Sequence, residues 1–172
     1  MFPEEEIKNE EFKFYENYPL FTIFLRWLLL GAAFGLGIYI LFQLKDILAY
    51  VYILYGVLCL MLVLPLSRCV YCYYHDRICD CGFGKVASFL FPKNDESKYK
   101  SKYVYFSLTY PFWLFPALFG IIQILRERSL KALIIFLAFI LILLLERVLL
   151  RLAGCKNCHQ RNICPGVPFC KS

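Results

Sequence analysis

Apolar residues gather in four long runs along this chain, at about residues 20–43, 47–67, 103–125 and 130–153. Lys, Arg, Asp, Glu and most of the Cys collect between and beyond them. Each run holds roughly 20 or more largely apolar residues, about the length a helix needs to cross ~30 Å of hydrocarbon. The first lies too deep in the chain, and is too long, for a cleaved secretory signal. The pattern predicts an all-α integral membrane protein, a bundle of four transmembrane helices with the lipid bilayer as its surroundings. Composition agrees, since 60% of the 172 residues are hydrophobic against about 45–50% in an ordinary soluble domain.

Four crossings place the acidic N-terminal tail (1–19), the central polar segment and the C-terminal tail on one side. The turns around Lys45-Asp46 and Arg126–Lys131 fall on the other. Twelve of the Lys and Arg outside the runs lie on the tail side and four on the turn side. The positive-inside bias therefore predicts that both termini are cytoplasmic. Basic loops beside a bilayer account for the net charge of +6, so no nucleic-acid partner is implied.

The nine cysteines sharpen the picture. Cys59 lies inside the second run, where it serves as a small apolar side chain. The other eight form two groups, Cys69, Cys72, Cys79 and Cys81 after the second run, and Cys155, Cys158, Cys164 and Cys170 after the fourth. Each group opens Cys-x2-Cys and continues to an Ile-Cys pair. Tyr18-Pro19 leads into the first run as Tyr110-Pro111 leads into the third. The chain thus reads as a tandem duplication of a two-helix hairpin plus cysteine module. Residues 20–81 form the first repeat and 103–172 the second, with 82–102 between them. Such copies are related by an axis along the membrane normal, which puts both modules on one face. Within the connecting piece, Gly82–Phe91 suits a short interfacial helix, and residues 92–102 read as a solvated loop closed off by Pro92.

Clustered thiols on a cytoplasmic face point away from stable disulfides and toward metal. Four thiolates around a tetrahedral zinc, with Cys-x2-Cys pairs turning backbone amides toward sulfur, is the favoured chemistry. An iron–sulfur cluster held by four cysteines is the alternative. Cys155-x2-Cys158-x5-Cys164 resembles the run in SPASM-type auxiliary iron–sulfur modules of radical enzymes. The resemblance covers ten residues and implies ligand spacing only; the spacing before Cys170 departs from that pattern. Cys155-Lys-Asn-Cys158-His159 also matches a c-type haem attachment string. That reading, like a disulfide framework, needs the modules to face outward, and the first module has no matching histidine.

No histidine lies in the apolar runs, which excludes a haem held by paired histidines across the bilayer. No phosphate loop, nucleophile elbow or zinc-protease motif occurs, and no catalytic residue is assigned. Gly31-x3-Gly35 and Ala33-x3-Gly37 form a small-residue packing pattern in the first run. Arg26 and Glu146 lie at matching depth, about 9–11 Å below the tail-side boundary at ~1.5 Å per residue, and are expected to pair across the first and fourth helices. The expected role is a platform that docks a protein partner; electron transfer through clusters is the alternative.

Overall fold

The computed structural model describes residues 14–161 and 163–165. Among them it is all-helical, without strands, and four helical segments are long and apolar enough to cross a membrane: Leu20–Phe42, Asp46–Tyr71, Glu96–Glu127 and Leu130–Cys155.

The first segment is helix α1 (Leu20–Phe42), which starts after an extended Pro19. A tight turn follows, in which the amides of Leu44 and Lys45 both bond the carbonyl of Leu41. Asp46 then opens α2 (Asp46–Leu58), where its charge complements the positive helix end. The helix continues through a wider turn at Cys59–Val63 into α3 (Leu64–Ser67). Pro65 has no N–H to offer the carbonyl one turn earlier, and the helix widens just before it. The central piece carries α4 (Phe83–Leu90). The third segment begins with a tight turn at Glu96–Lys98 and α5 (Tyr99–Lys102), then a narrower stretch at Tyr103–Thr109, before α6 (Tyr110–Glu127). Arg128, in the left-handed region, turns the chain into α7 (Leu130–Leu149), which runs on through a wide turn at Leu150–Cys155.

Two expectations change here. The third segment starts at Glu96, not Tyr103, because Asp95 caps it: the Ser97 amide bonds Asp95 Oδ1 at 3.0 Å, and the Ser97 hydroxyl bonds Oδ2 at 2.7 Å. Residues 96–102 of the supposed solvated loop are therefore helical, and Tyr99 among them is buried. In α1, Gly31 and Gly35 face open space, while Ala33 and Gly37 make the close contact. A Cβ on Gly37 would stand 2.9 Å from the Tyr52 hydroxyl.

Helix α1 packs against α2, α6 and α7 and so sits at the centre of the bundle. Aromatic rings join the two hairpins: Tyr52 of α2 stacks on Phe112 of α6 with centroids 4.9 Å apart. Phe34 of α1 lies against both rings. Phe139 of α7 is fully buried beside Ala33 and Ile40. Outward, the helices present a nearly continuous apolar surface that includes Phe21, Phe24, Leu125, Leu130 and Leu144. A contiguous apolar exterior of this kind is what a bilayer covers.

Candidate functional site

At one end of the bundle the N-terminal approach, the central piece and the C-terminal segment fold together into a cap. Tyr18 is its keystone. Its amide bonds the carbonyl of Ile78 at 3.0 Å, and its hydroxyl donates to the carbonyl of Gly154 at 2.6 Å. Tyr74 reaches the other way, donating to the Tyr15 carbonyl at 2.7 Å and accepting from the His159 amide at 3.1 Å. Burial and the neighbouring Cys158 and Tyr74 push the Tyr18 phenol well above its ordinary range, so it stays a donor. Tyr15 and Tyr18, from a tail expected to be a surface or interfacial segment, are thus part of the cap; residues 1–13 lie outside the described ones.

The two Cys-x2-Cys turns have the same backbone. The Cys72 amide bonds the Cys69 carbonyl at 3.2 Å, and the Cys158 amide bonds the Cys155 carbonyl at 3.3 Å. One step on, His75 bonds the Cys72 carbonyl and Arg161 the Cys158 carbonyl, both at 3.1 Å. In each case the second cysteine's sulfur accepts an amide two residues ahead, from Tyr74 to Cys72 and from Gln160 to Cys158. Cys81 accepts likewise from Phe83 at the start of α4, and the Gly84 amide lies 3.1 Å from Cys79 Sγ. Gly82, at φ 73°, makes the turn that aims these amides; a left-handed backbone there suits glycine.

Two sulfurs come close within the first module, and cysteines of both modules pack on shared buried clusters. Cys79 and Cys81 stand 3.4 Å apart. That contact pushes the Cys79 thiol up and draws Cys81 down, with Arg26 and the Phe83 amide aiding Cys81 against burial. Cys72 is pushed up to about 12 by burial, opposed by the Tyr74 amide and Arg68. Cys72 and Cys158 pack on the same cluster of Tyr18, Tyr74 and Cys79. Cys72 also shares the Val70–Tyr71–Tyr99 cluster with Cys164, whose sulfur lies 3.7 Å from the Tyr99 hydroxyl. Cys69 packs with Cys81 against Phe83 and Ala87. Cys155 ends the fourth helical segment, half-buried. Cys170 lies outside the described residues. Among those described, no three His, Cys, Asp or Glu side chains converge closely enough to grip an ion, and no disulfide links their cysteines. Both histidines are engaged elsewhere. His75 Nε2 is 3.1 Å from the Phe91 carbonyl, and His159 stacks on Tyr73 with centroids 3.9 Å apart.

Beneath the cap, Arg26 Nη2 lies 2.9 Å from Glu146 Oε1, so the structure brings these two residues together. Sequence reasoning missed the third member. Asp80, between Cys79 and Cys81, takes the other guanidinium nitrogen, Nη1. Its carboxylate lies against Gly154, where a side chain would collide with it. An acidic residue between two cysteines was the available signal. Arg68 also went unweighed; it stands beside Cys69 with its guanidinium over the rings of Phe106 and Tyr103.

These features define a class: an all-helical chain with four helices fit to cross a bilayer, capped at one end by a cysteine-rich layer fastened by buried tyrosines and charges. No protein-family model matches the chain, and no curated protein or solved structure shows significant similarity to it.

Proposed function

We propose that this is an integral membrane protein, built from one two-helix unit used twice, whose cysteine cap holds a soft metal through thiolates. Zinc is the favoured ion. The cap then forms a rigid platform, on the cytoplasmic side by its positive charge bias, for a protein partner. The observation that carries the reading is the set of backbone amides facing sulfur: Gly84 on Cys79 at 3.1 Å, with Tyr74 toward Cys72, Gln160 toward Cys158 and Phe83 toward Cys81. A neutral thiol is a weak acceptor, whereas hydrogen bonds to a charged group are roughly twice as strong as neutral ones. Amides placed two residues beyond a cysteine, twice on matching turns, serve thiolates that a cation keeps ionised. The repeated hydrogen bonds of the two turns also support the duplication. The Tyr-Pro parallel supports it less, since Tyr18 is buried and Tyr110 exposed.

Donors that are cysteines alone suit an iron–sulfur cluster equally well, and this is the second reading. Its function is electron transfer to a partner at the membrane. The engaged histidines favour an all-thiolate site over a mixed one. Anaerobic purification in detergent, followed by metal analysis and a visible spectrum, tests both. Zinc with no visible absorption is expected. Broad brown absorption transfers the assignment to iron and sulfur. Metal no higher than in a variant lacking the eight module cysteines overturns the metal reading.

A further inference from the structure

Helix α4 (Phe83–Leu90) divides its residues three ways. Phe83, Gly84 and Ala87 are buried, and Phe83 and Ala87 pack with Leu60, Leu64, Cys69 and Cys81. Lys85 and Ser88 line a shallow groove with His75, Asp76 and Phe89. There the Ser88 hydroxyl donates to Asp76 Oδ1 at 3.2 Å. On the remaining side Val86, Phe89 and Leu90 project outward, and Phe89 is 89% exposed. At about 100° per residue these three share one arc of the helix. That apolar arc is left uncovered among the described residues.

The depth at which the helix packs indicates what covers the arc. Its buried side meets Leu60 and Leu64 of the second long apolar segment. At ~1.5 Å per residue these lie about 5–10 Å below the last turn of that helix, which ends at Ser67. The Phe83 ring centroid is 5.5 Å from that of Trp27, a residue about 10 Å along α1 from its start. The Trp27 indole N–H also donates to the Cys81 carbonyl at 3.1 Å. Met61, Leu62 and Leu66, in the same turns as Leu60 and Leu64, belong to the exposed apolar surface of the bundle. The arc on α4 continues that surface. Amphipathic helices at a bilayer bury their apolar face to a similar depth, about 5–10 Å into the boundary of headgroups and acyl chains.

We propose that α4 is seated in the bilayer, with Val86, Phe89 and Leu90 against phospholipid acyl chains and Asp76, Lys85 and Ser88 toward headgroups and water. The helix then stands between the acyl chains and the first cysteine module, because Cys69 and Cys81 lie against its buried side. This rests on the integral-membrane reading above, and it adds a lipid contact outside the four spans.

The test uses the full-length chain in phospholipid nanodiscs, with the photoreactive residue p-benzoylphenylalanine placed singly at Phe89, Leu144 or Asn94. Leu144 points outward from α7, and Asn94 is exposed beyond Pro92. After illumination, mass spectrometry identifies what each position has captured. Phospholipid adducts are expected at positions 89 and 144 and should be lost at position 94. Crosslinks from position 89 to a second copy of the chain, in place of lipid, overturn the proposal. So does the lack of a lipid adduct at position 89 where position 144 gives one; both outcomes leave the membrane reading intact. Lipid adducts as abundant at position 94 as at position 89 also overturn it, since α4 would then have no lipid side of its own. Absence of lipid adducts at position 144 as well removes the membrane reading itself. If the chain altered at position 89 fails to accumulate, the same photoreactive residue at Val86 supplies the same readout with the same outcomes.

Discussion

Arg26 Nη2 and Glu146 Oε1 stand 2.9 Å apart, tying the first helix of the bundle to the last just beneath the cysteine cap. Asp80 holds the other arm of the same guanidinium, so one cation serves two carboxylates and the helices are linked to the cap through it. Both charged groups of the pair are buried. The arrangement is lopsided, and the lopsidedness is measurable.

Removing one partner of a buried ion pair costs about 3–5 kcal/mol, because the other charge is left without compensation. Arg26→Leu strands two carboxylates and should lie at the high end of that range. Glu146→Leu leaves Arg26 with Asp80 and should cost less. Thermal unfolding in detergent should show the Arg26→Leu, Glu146→Leu double variant no less stable than Arg26→Leu alone. Additive losses would show that the two side chains do not act on each other.

Glycine positions separate tight backbone approach from mere helix composition. A Cβ on Gly84 would collide with the carbonyl oxygens of Tyr74 and Arg77, both backbone atoms with little freedom to move. Gly84→Ala should lower stability by about 1–3 kcal/mol, the usual cost of overpacking. It should also move the amide that bonds Cys79. Gly35→Ala meets nothing within 4 Å and should leave the melting temperature unchanged or slightly raised. Equal melting temperatures for the two variants would remove Gly84 as a structural requirement.

The cap at Asp95 gives a pH dependence of known sign. The Ser97 hydroxyl and amide hold the Asp95 carboxyl below its ordinary range. A depressed carboxyl contributes stability above its unfolded pKa of about 3.9, and that contribution is lost as pH falls through the lower folded value. The Ser97 amide should therefore stay protected to below the ordinary aspartate range and then open. Hydrogen exchange or amide chemical shift at Ser97 follows it. Asp95→Asn should abolish the transition while keeping a cap; persistence of the transition in Asp95→Asn would assign it to another group.

Sidedness is tested with a thiol reagent that cannot cross membranes. In intact cells it should leave both modules unlabelled even after chelation, whereas permeabilised cells should be labelled. Labelling of Cys155 or Cys158 from outside reverses the orientation and brings disulfide and haem chemistry forward.

Hydropathy along one dimension suffices to find the four long helices, because covering backbone groups in an apolar medium leaves a helix few alternatives. It placed the start of the third too late. Capping by Asp95 and Ser97 is a local hydrogen-bond matter that outweighs the polarity of Lys98, Lys100 and Lys102. Spacing also sufficed to group the eight module cysteines and to raise the Arg26–Glu146 pair, since depth in a helix follows from residue number at ~1.5 Å per residue.

What spacing cannot carry is rotation and long-range approach. The small residues of α1 form two stripes that look equivalent in sequence. Only the packed bundle turns Ala33 and Gly37 inward and Gly31 and Gly35 outward. Asp80 reaches Arg26 across 54 residues, and Tyr18 reaches Gly154 across 136. Charges and hydroxyls withdrawn from water take whatever partner the fold brings near, however distant in the chain. The sequence by itself determined the helices, the cysteine spacing and the depth of the charges. The tertiary structure alone decided that Cys72 of one module packs on the same buried clusters as Cys158 and Cys164 of the other, because that depends on how the two hairpins pack against each other.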